Sequence, residues 1–349
     1  MVILKDMEIR LINVIGKYGI YATVLKHSIS PAGINLITME ISYPRIVLAE
    51  ANTHRMLCKN SSSSRAIPFE KMQAQLVGRP VRFGEANKGM QDKGKEFDAK
   101  VRIVFDSSLG FEDVSPEDAW DAAKQSALRY SEAFFKAGYH KQIVNRLTEP
   151  FQMMKTVVTW TEGANFFWLR NHEAADPSLA ELARVMYEAA LRSTPEKLKP
   201  GEWHLPYVDV ERTEDGKLIY LIDVEDEASG HQRILTLEEA LKVSCARTAA
   251  VSFRNVDYGV EKSEEVFNRL VGDERIHGSA TEHQATPMKK GLAEAPIDSS
   301  TWVNIPNYPE SWEEGITHMT RDRQLWSGPL RGWIQKRKLI SNENREGFL

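Results

Sequence analysis

Residues 142–172, QIVNRLTEPFQMMKTVVTWTEGANFFWLRNH, make an apolar, aromatic run that should cross the core of whatever this chain folds into, yet it carries Arg146 and Arg170. A guanidinium group in apolar surroundings is costly unless an anion or a carboxylate pairs with it. The run therefore asks for internal ion pairs, with Glu149 and Glu162 at hand, or for a bound anion. Helices flank it on both sides. Upstream, Ser115 reads as an N-cap, Pro116 as the first helical residue and Asp118 as the completion of a capping box. Trp120, Ala123, Ala127, Tyr130 and Phe134 share one face, and Gly138 stops the helix. Downstream, a helix starts at Asp176-Pro177, sets Leu179, Leu182, Met186 and Ala189 on one face, and ends before Pro195.

The remaining segments supply strands and further helices. INLITMEISYPRIVLA (34–49) alternates around Thr38 to Ile41 and then turns helical after Pro44, which predicts strand, turn, short helix, loop. YVDVERT and LIYLIDV, joined through Asp215-Gly216, predict an inserted β-hairpin at 207–225. Residues 80–112 are rich in Gly, Lys and Asp and read as a solvated excursion. A C-terminal part spanning 236–340 opens with a Thr236–Glu239 capping box, continues through a helix near 263–271, and finishes in a basic, aromatic tail, RDRQLWSGPLRGWIQKRKLI. No Gly-x-Gly-x-x-Gly follows a strand. The expected fold is α/β (α+β), a mixed sheet flanked by helices in a single catalytic domain over 1–349, and not a Rossmann domain. A length of 349 residues, 42% of them hydrophobic, is enough for a substantial core. The net charge of -4 gives no general attraction to nucleic acid or to anionic membranes, so neither is an expected partner. Charges at Lys5, Asp6, Glu8 and Arg10 argue against a signal peptide or span at the start. With Cys58 and Cys245 as the only cysteines, a reducing, cytoplasmic location is expected.

NTHRMLCKNSSSSRAIP (52–68) carries the chemistry. Guanidinium groups grip phosphate oxygens in pairs, while hydroxyls and backbone N–H groups fill the remaining acceptor sites, and Arg55, Ser63 and Arg65 could act together in this way. Composition alone leaves a polar surface loop equally open. A serine nucleophile is the weaker reading, because no Gly-x-Ser-x-Gly elbow surrounds these residues.

Spacing carries a resemblance. His54-Arg55, seven residues, Ser63, one residue and Arg65, with Asn60 between, resembles the Arg-His-Arg, seven residues, Ser, x-Arg signature of flavin-dependent thymidylate synthases, and more narrowly their longer bacteriophage-type members. Arg146-Leu-Thr-Glu-Pro and TEGANFFWLR, ending at Arg170, are similar to that family's Arg-x-x-x-Pro element and its Asn-rich helix ending in Leu-Arg. RIHGSATEHQATP (275–287) resembles its His-x-Ser-Pro-x-Glu-His element, and CARTAAVSF (245–253) its Ala-Arg-Val-Ser-Phe segment. In compact members these last two precede the arginine signature. Here they follow it, as in a circular permutation. KHSISPAGINLITMEI offers a rival at His27, Ser30 and Pro31, without the Glu-His pair.

The resemblance implies a pyrimidine nucleotide held by Glu50, Ser61, Ser62, Ser63, Ser64, Arg65, Arg146 and Arg170, with Ser63, Arg65 and Arg170 closest to catalysis. It implies FAD contacts for His54, Arg55, Asn60, His277, Ser279, Glu282 and His283. The implied reaction is reductive methylation of dUMP to dTMP, with NADPH and 5,10-methylenetetrahydrofolate as co-substrates. A homotetramer is implied as well, in the host cytoplasm if phage-encoded. No metal is expected, since HGSATEH lacks the spacing of a helical two-histidine site. Neither cysteine is needed as a nucleophile. Thr53 and Ser61 replace an Arg and a Glu of the compact signature, which leaves open a hydroxymethylase or a dCMP-directed relative. A non-catalytic nucleotide-binding protein is a further alternative. Glu162 and Asn165 could take the place of flavin ligands that a shortened helix does not supply, and the role of the tail is unassigned.

Overall fold

A computed structural model describes residues 12–343 apart from 92–93, 107–109, 224–231, 253–258, 273–274 and 290–311. The charged start of the chain, Phe253 and most of the Pro- and Ser-rich stretch near 300 lie outside that set.

Strands β1 (Asn13–Ile15), β2 (Tyr21–Ile29) and β3 (Asn35–Pro44) run antiparallel in succession. After Pro44 the chain turns through α1 (Leu48–Asn52) into β4 (Cys58–Ser61) and α2 (Phe69–Gln73). The 80–112 stretch is largely exposed but contains a ribbon of β5 (Val101–Asp106) and β6 (Gly110–Val114). Helices α3 (Pro116–Lys136) and α4 (Lys141–Val144) and a 3-10 helix, Asn145–Phe151, lead into β7 (Met153–Trp160). Then come α5 (Ala164–Arg170), α6 (Pro177–Arg192) and β8 (Glu196–Lys197). The central sheet has the order β1-β2-β3-β7-β4 and is antiparallel except where β8 lies parallel to β2, so its mixed character rests on that short strand. A second sheet joins β9 (Asp209–Arg212), β10 (Leu218–Asp223) and β11 (Gln232–Leu235), so the 207–225 hairpin carries a third strand. Helices α7 (Leu237–Ala249) and α8 (Val260–Val271) follow, then a 3-10 turn, Gly278–His283. The remaining strands are β12 (Ala285–Pro287), β13 (His318–Met319), β14 (Leu325–Ser327), β15 (Leu330–Arg331) and β16 (Trp333–Gln335).

The pleat of β3 separates two cores. Ile37, Met39, Ile41 and Tyr43 pack with Leu179, Leu182 and Met186 of α6 on one face. Leu36 faces the other side, with Trp203, Leu205, Val243 and Trp333. Local capping sets the helix starts. Ser115 accepts from the Asp118 N–H at 3.1 Å, and Thr236 and Glu239 form a reciprocal capping box.

Two features go beyond what the sequence assigned. The apolar face of α3 is only partly covered, with Tyr130 67% and Phe134 37% exposed. The tail is no surface arm: β16 pairs with β12, Trp333 is fully buried, and its Nε1 donates to the Ile34 carbonyl at 3.2 Å. Among the described residues no helix is long and apolar enough to cross a membrane.

Candidate functional site

Strand β4 forms the edge of the central sheet, and Asn60 on it is a junction. Its Nδ2 donates to the Thr248 carbonyl at 2.8 Å, and Ser279 Oγ donates to its Oδ1 at 3.2 Å. One side chain thus ties together the 52–68, 245–253 and 275–287 segments, the latter two nearly two hundred or more positions away in the chain.

Past the C-terminal end of β4 the serines mostly hold their own loop. Ser61 Oγ bonds Thr156 Oγ1 at 2.9 Å, Ser62 N–H donates to the Lys155 carbonyl at 2.8 Å, and Ser64 Oγ donates to Glu149 at 3.2 Å. Ser63 Oγ accepts from the Arg65 N–H at 3.3 Å. The Asn145 amide donates to the carbonyls of Ser64 (2.8 Å) and Ile67 (2.9 Å), so Arg65 and Arg146 each sit one residue from this clasp. Both arginines are exposed, and neither forms an ion pair among the described residues. The premise that Arg146 is buried is therefore corrected, because the 3-10 helix turns it outward. The carboxylates expected as partners serve other arginines: Glu149 pairs with Arg45 at 2.7 Å and Glu162 with Arg331 at 2.5 Å.

Arg170 lies elsewhere. Half-buried at the end of α5, it donates from Nε to His54 Nε2 at 2.8 Å, and the His54 ring meets Phe166 edge-on at 4.9 Å. Burial, then the charges of Arg170 and Lys59, lower the His54 pKa to about 4, so the ring is a neutral acceptor at physiological pH. Glu50 and Arg55 near this end are exposed. Arg146 precedes β7 and Arg170 follows it. The eight residues of β7, about 25 Å of extended strand, lie between the segments that carry them. Among the described residues no hydrogen bond joins Arg170 to Arg65 or Arg146.

His277 and Ser279 are exposed, whereas His283 is fully buried. A hydrogen-bonded line that the sequence did not signal runs under the sheet. Ser28 Oγ meets His204 Nδ1 at 2.9 Å, and His204 Nε2 meets Thr38 Oγ1 at 2.8 Å. Thr38 meets Thr159 at 2.6 Å, and Thr159 meets His283 Nδ1 at 2.8 Å. His283 Nε2 is buried with no hydrogen-bond partner among the described residues. The rival His27 is held by Ser193 and Asn35 on the opposite, α6, face of the sheet. Burial pulls the His283 pKa down to about 3 and that of His204 well below its ordinary value. Unfolded histidine takes up a proton below about 6.5 while native His283 resists until about 3, so stability is full above the first pH and falls toward the second. Lowering pH from 7.5 to 5 should therefore cost about 2 kcal/mol through His283 alone. Urea midpoints at the two pH values check this, and His283→Gln should flatten the dependence.

Both thiols are buried and free. Burial pushes Cys245 up to about 12 and Cys58 higher still, so neither is an available thiolate.

A cleft of about 290 Å³ opens between the turn before β4 and the tail, with Arg55, Lys59, Glu282, Gln335, Arg337 and Lys338 on its walls. Pockets for drug-sized ligands span roughly 300–1,000 Å³. The cationic lining fits an anionic portion of a flavin dinucleotide but not the whole of it, so the rest would lie on the exposed surface around Arg55, His277 and Ser279.

No protein-family model matches the chain, and no curated protein matches it. Among solved structures the chain is similar to the flavin dependent thymidylate synthase ThyX from Helicobacter pylori complexed with FAD and dUMP. That match has 17% identity and a TM-score of 0.28, covering 44% of this chain and 67% of that one. It is also similar to the UMP/dUMP methylase PolB from Streptomyces cacaoi bound with 5-Br dUMP, at 16% identity and a TM-score of 0.29, covering 45% of this chain and 66% of that one.

Proposed function

We propose that the chain is a flavin-dependent thymidylate synthase that converts dUMP to dTMP with FAD, NADPH and 5,10-methylenetetrahydrofolate. The observation that carries this reading is the Asn60 junction. Segments resembling the family's nucleotide and flavin elements, reversed in chain order, are bonded to one another through that side chain.

FAD, when bound, supplies the reducing equivalents for a methyl group at C5 of the pyrimidine. The chain's share is binding and electrostatics. Arg65 and Arg146, clasped together through Asn145 and Ser64, offer two solvent-facing cations to the nucleotide phosphate. Arg170, oriented by neutral His54, polarises the pyrimidine carbonyl as charge develops. His54, Arg55, Asn60, His277, Ser279 and Glu282 make the flavin side. Buried His283 supports the turn that carries Ser279 and Glu282. With Arg170 engaged at the His54 turn before β4 and Arg65 in the loop after it, the nucleotide site takes its arginines from two chains of a homo-oligomer, in the cytoplasm. Exposed Trp168 and Leu169 beside Arg170, and Ile143 and Leu147 beside Arg146, are apolar surface that such a junction covers.

Thr53 and Ser61, the two departures from the signature, are engaged inside the fold. Thr53 Oγ1 donates to the Glu50 carbonyl at 2.6 Å, and Ser61 bonds Thr156. They give a cytosine-directed or hydroxymethylating relative no separate support.

Incubation with FAD, NADPH, methylenetetrahydrofolate and 5-tritiated dUMP should release tritium and form dTMP, and the loaded protein should show oxidised-flavin absorption bands. Mass spectrometry of products from dUMP and dCMP reads the base and the group added. A protein that takes up no flavin and releases no tritium overturns the assignment.

A further inference from the structure

The C-terminal tail lies against the proposed flavin side through a set of charges that the nucleotide chemistry leaves unused. Arg337 pairs through Nη1 with Glu282 and through Nε with Glu343 at 2.9 Å, and Lys338 pairs with Glu343 at 2.5 Å. Two glycines permit this close approach. A Cβ at Gly278 would stand 3.3 Å from Arg337 Nε, and one at Gly328, whose φ is +56°, would stand 3.2 Å from Gln335 Oε1. The partner carboxylates hold the cations at fixed positions without neutralising the cleft. Arg55, Lys59, Arg337 and Lys338 are four cations against two carboxylates, Glu282 and Glu343. Arg337 Nη2 carries no bond to a described residue, and Arg55 forms no ion pair among them. Lys59 is half-buried with its Nζ on the His54 carbonyl at 2.6 Å, and burial lowers its pKa. An excess of pre-positioned cations in a cleft of this size is matched by a small polyanion rather than by an aromatic ring.

We propose that the cleft between the turn 54–59 and the tail residues 328–338 binds the diphosphate group of a dinucleotide, with Arg55, Lys59, Arg337 and Lys338 as its ligands. The proposal rests on the flavin reading for the identity of the dinucleotide, but the anion site stands on its own geometry. The same phosphoryl chemistry could be offered by the monophosphate of dUMP, and competition separates the two sources.

The test measures inorganic pyrophosphate binding by calorimetry to the full-length protein and to Lys338→Glu and Lys338→Gln. Lys338 is a partly exposed side chain, so both variants fold, which thermal melts verify. Pyrophosphate should bind the wild type, with affinity falling about tenfold in Lys338→Gln and further in Lys338→Glu. FAD should displace pyrophosphate and lose affinity in the same order, while riboflavin, lacking the diphosphate, should bind all three proteins alike. Pyrophosphate affinity that ignores position 338, or riboflavin affinity that falls in step with that of FAD, overturns the site. Displacement by dUMP but not by FAD overturns the dinucleotide assignment. If pyrophosphate binds as described while no flavin binds and no dTMP forms, the enzyme assignment fails and the anion site survives.

Discussion

Trp333→Ala is expected to destabilise the protein by roughly 3–5 kcal/mol, read as a fall in the urea midpoint with little change in slope. Trp333 is fully buried in the core that contains Leu36, Leu205 and Val243, and it anchors a strand paired with β12. Removing the indole leaves a cavity and takes one of two donors from the Ile34 carbonyl, which keeps the Ser30 N–H at 3.0 Å. Were the tail a basic arm on the surface, the same change would cost under about 0.5 kcal/mol. Gly332 provides an independent check. At φ +70°, with a Cβ only 2.4 Å from Ile34 Cδ1, Gly332→Ala meets both backbone strain and a clash that this seating of the tail alone explains. The variant should therefore be less stable although it adds a methyl group to an apolar neighbourhood.

What the sequence made legible was local. Ser115, Asp176 and Thr236 announced helix starts because a cap and its backbone partner lie within three residues of each other. The face of α6 was readable because Leu179, Leu182 and Met186 repeat at helical spacing and the sheet covers them. The same spacing left the covering of α3 open. Periodicity shows that Tyr130 and Phe134 share a face, not that this chain supplies anything to cover it. Arg146 was misread as buried because an apolar neighbourhood in sequence says nothing about which way a 3-10 turn points a side chain. Glu149 and Glu162 found their arginines at positions 45 and 331, by contacts no local pattern encodes. The line from Ser28 through His204, Thr38 and Thr159 to His283 was invisible for the same reason, since every link joins residues more than a hundred positions apart. Of the candidate site, the residue types around β4 were legible from their spacing. Their division between two ends of β7 was not, because spacing along a chain does not reveal that an intervening segment is an extended strand through the sheet.

That division leads to the second large effect, a rescue. Arg65→Ala and Arg170→Ala should each lower kcat/KM for dUMP by about 100-fold or more, the usual loss when a charged donor to the developing anion is removed. Arg65 is exposed, so its variant should fold normally, and Arg170→Ala loses only its contact with His54. Co-expressing the two variants with different tags and purifying the doubly tagged assembly should restore activity to between about a quarter and a half of the wild-type value, depending on subunit number. In a mixed dimer one of the two junctions has both arginines intact, and in mixed tetramers somewhat more than one in four. A nucleotide site built within one chain would stay inactive in every mixture, because each protomer would lack one of its two cations. Rescue therefore tests the proposed homo-oligomeric site, in which Arg65 and Arg170 come from different subunits. The rescued sites should show the wild-type KM, since each contains an undamaged arginine set, whereas the residual activity of either variant alone should be raised in KM and reduced in kcat together.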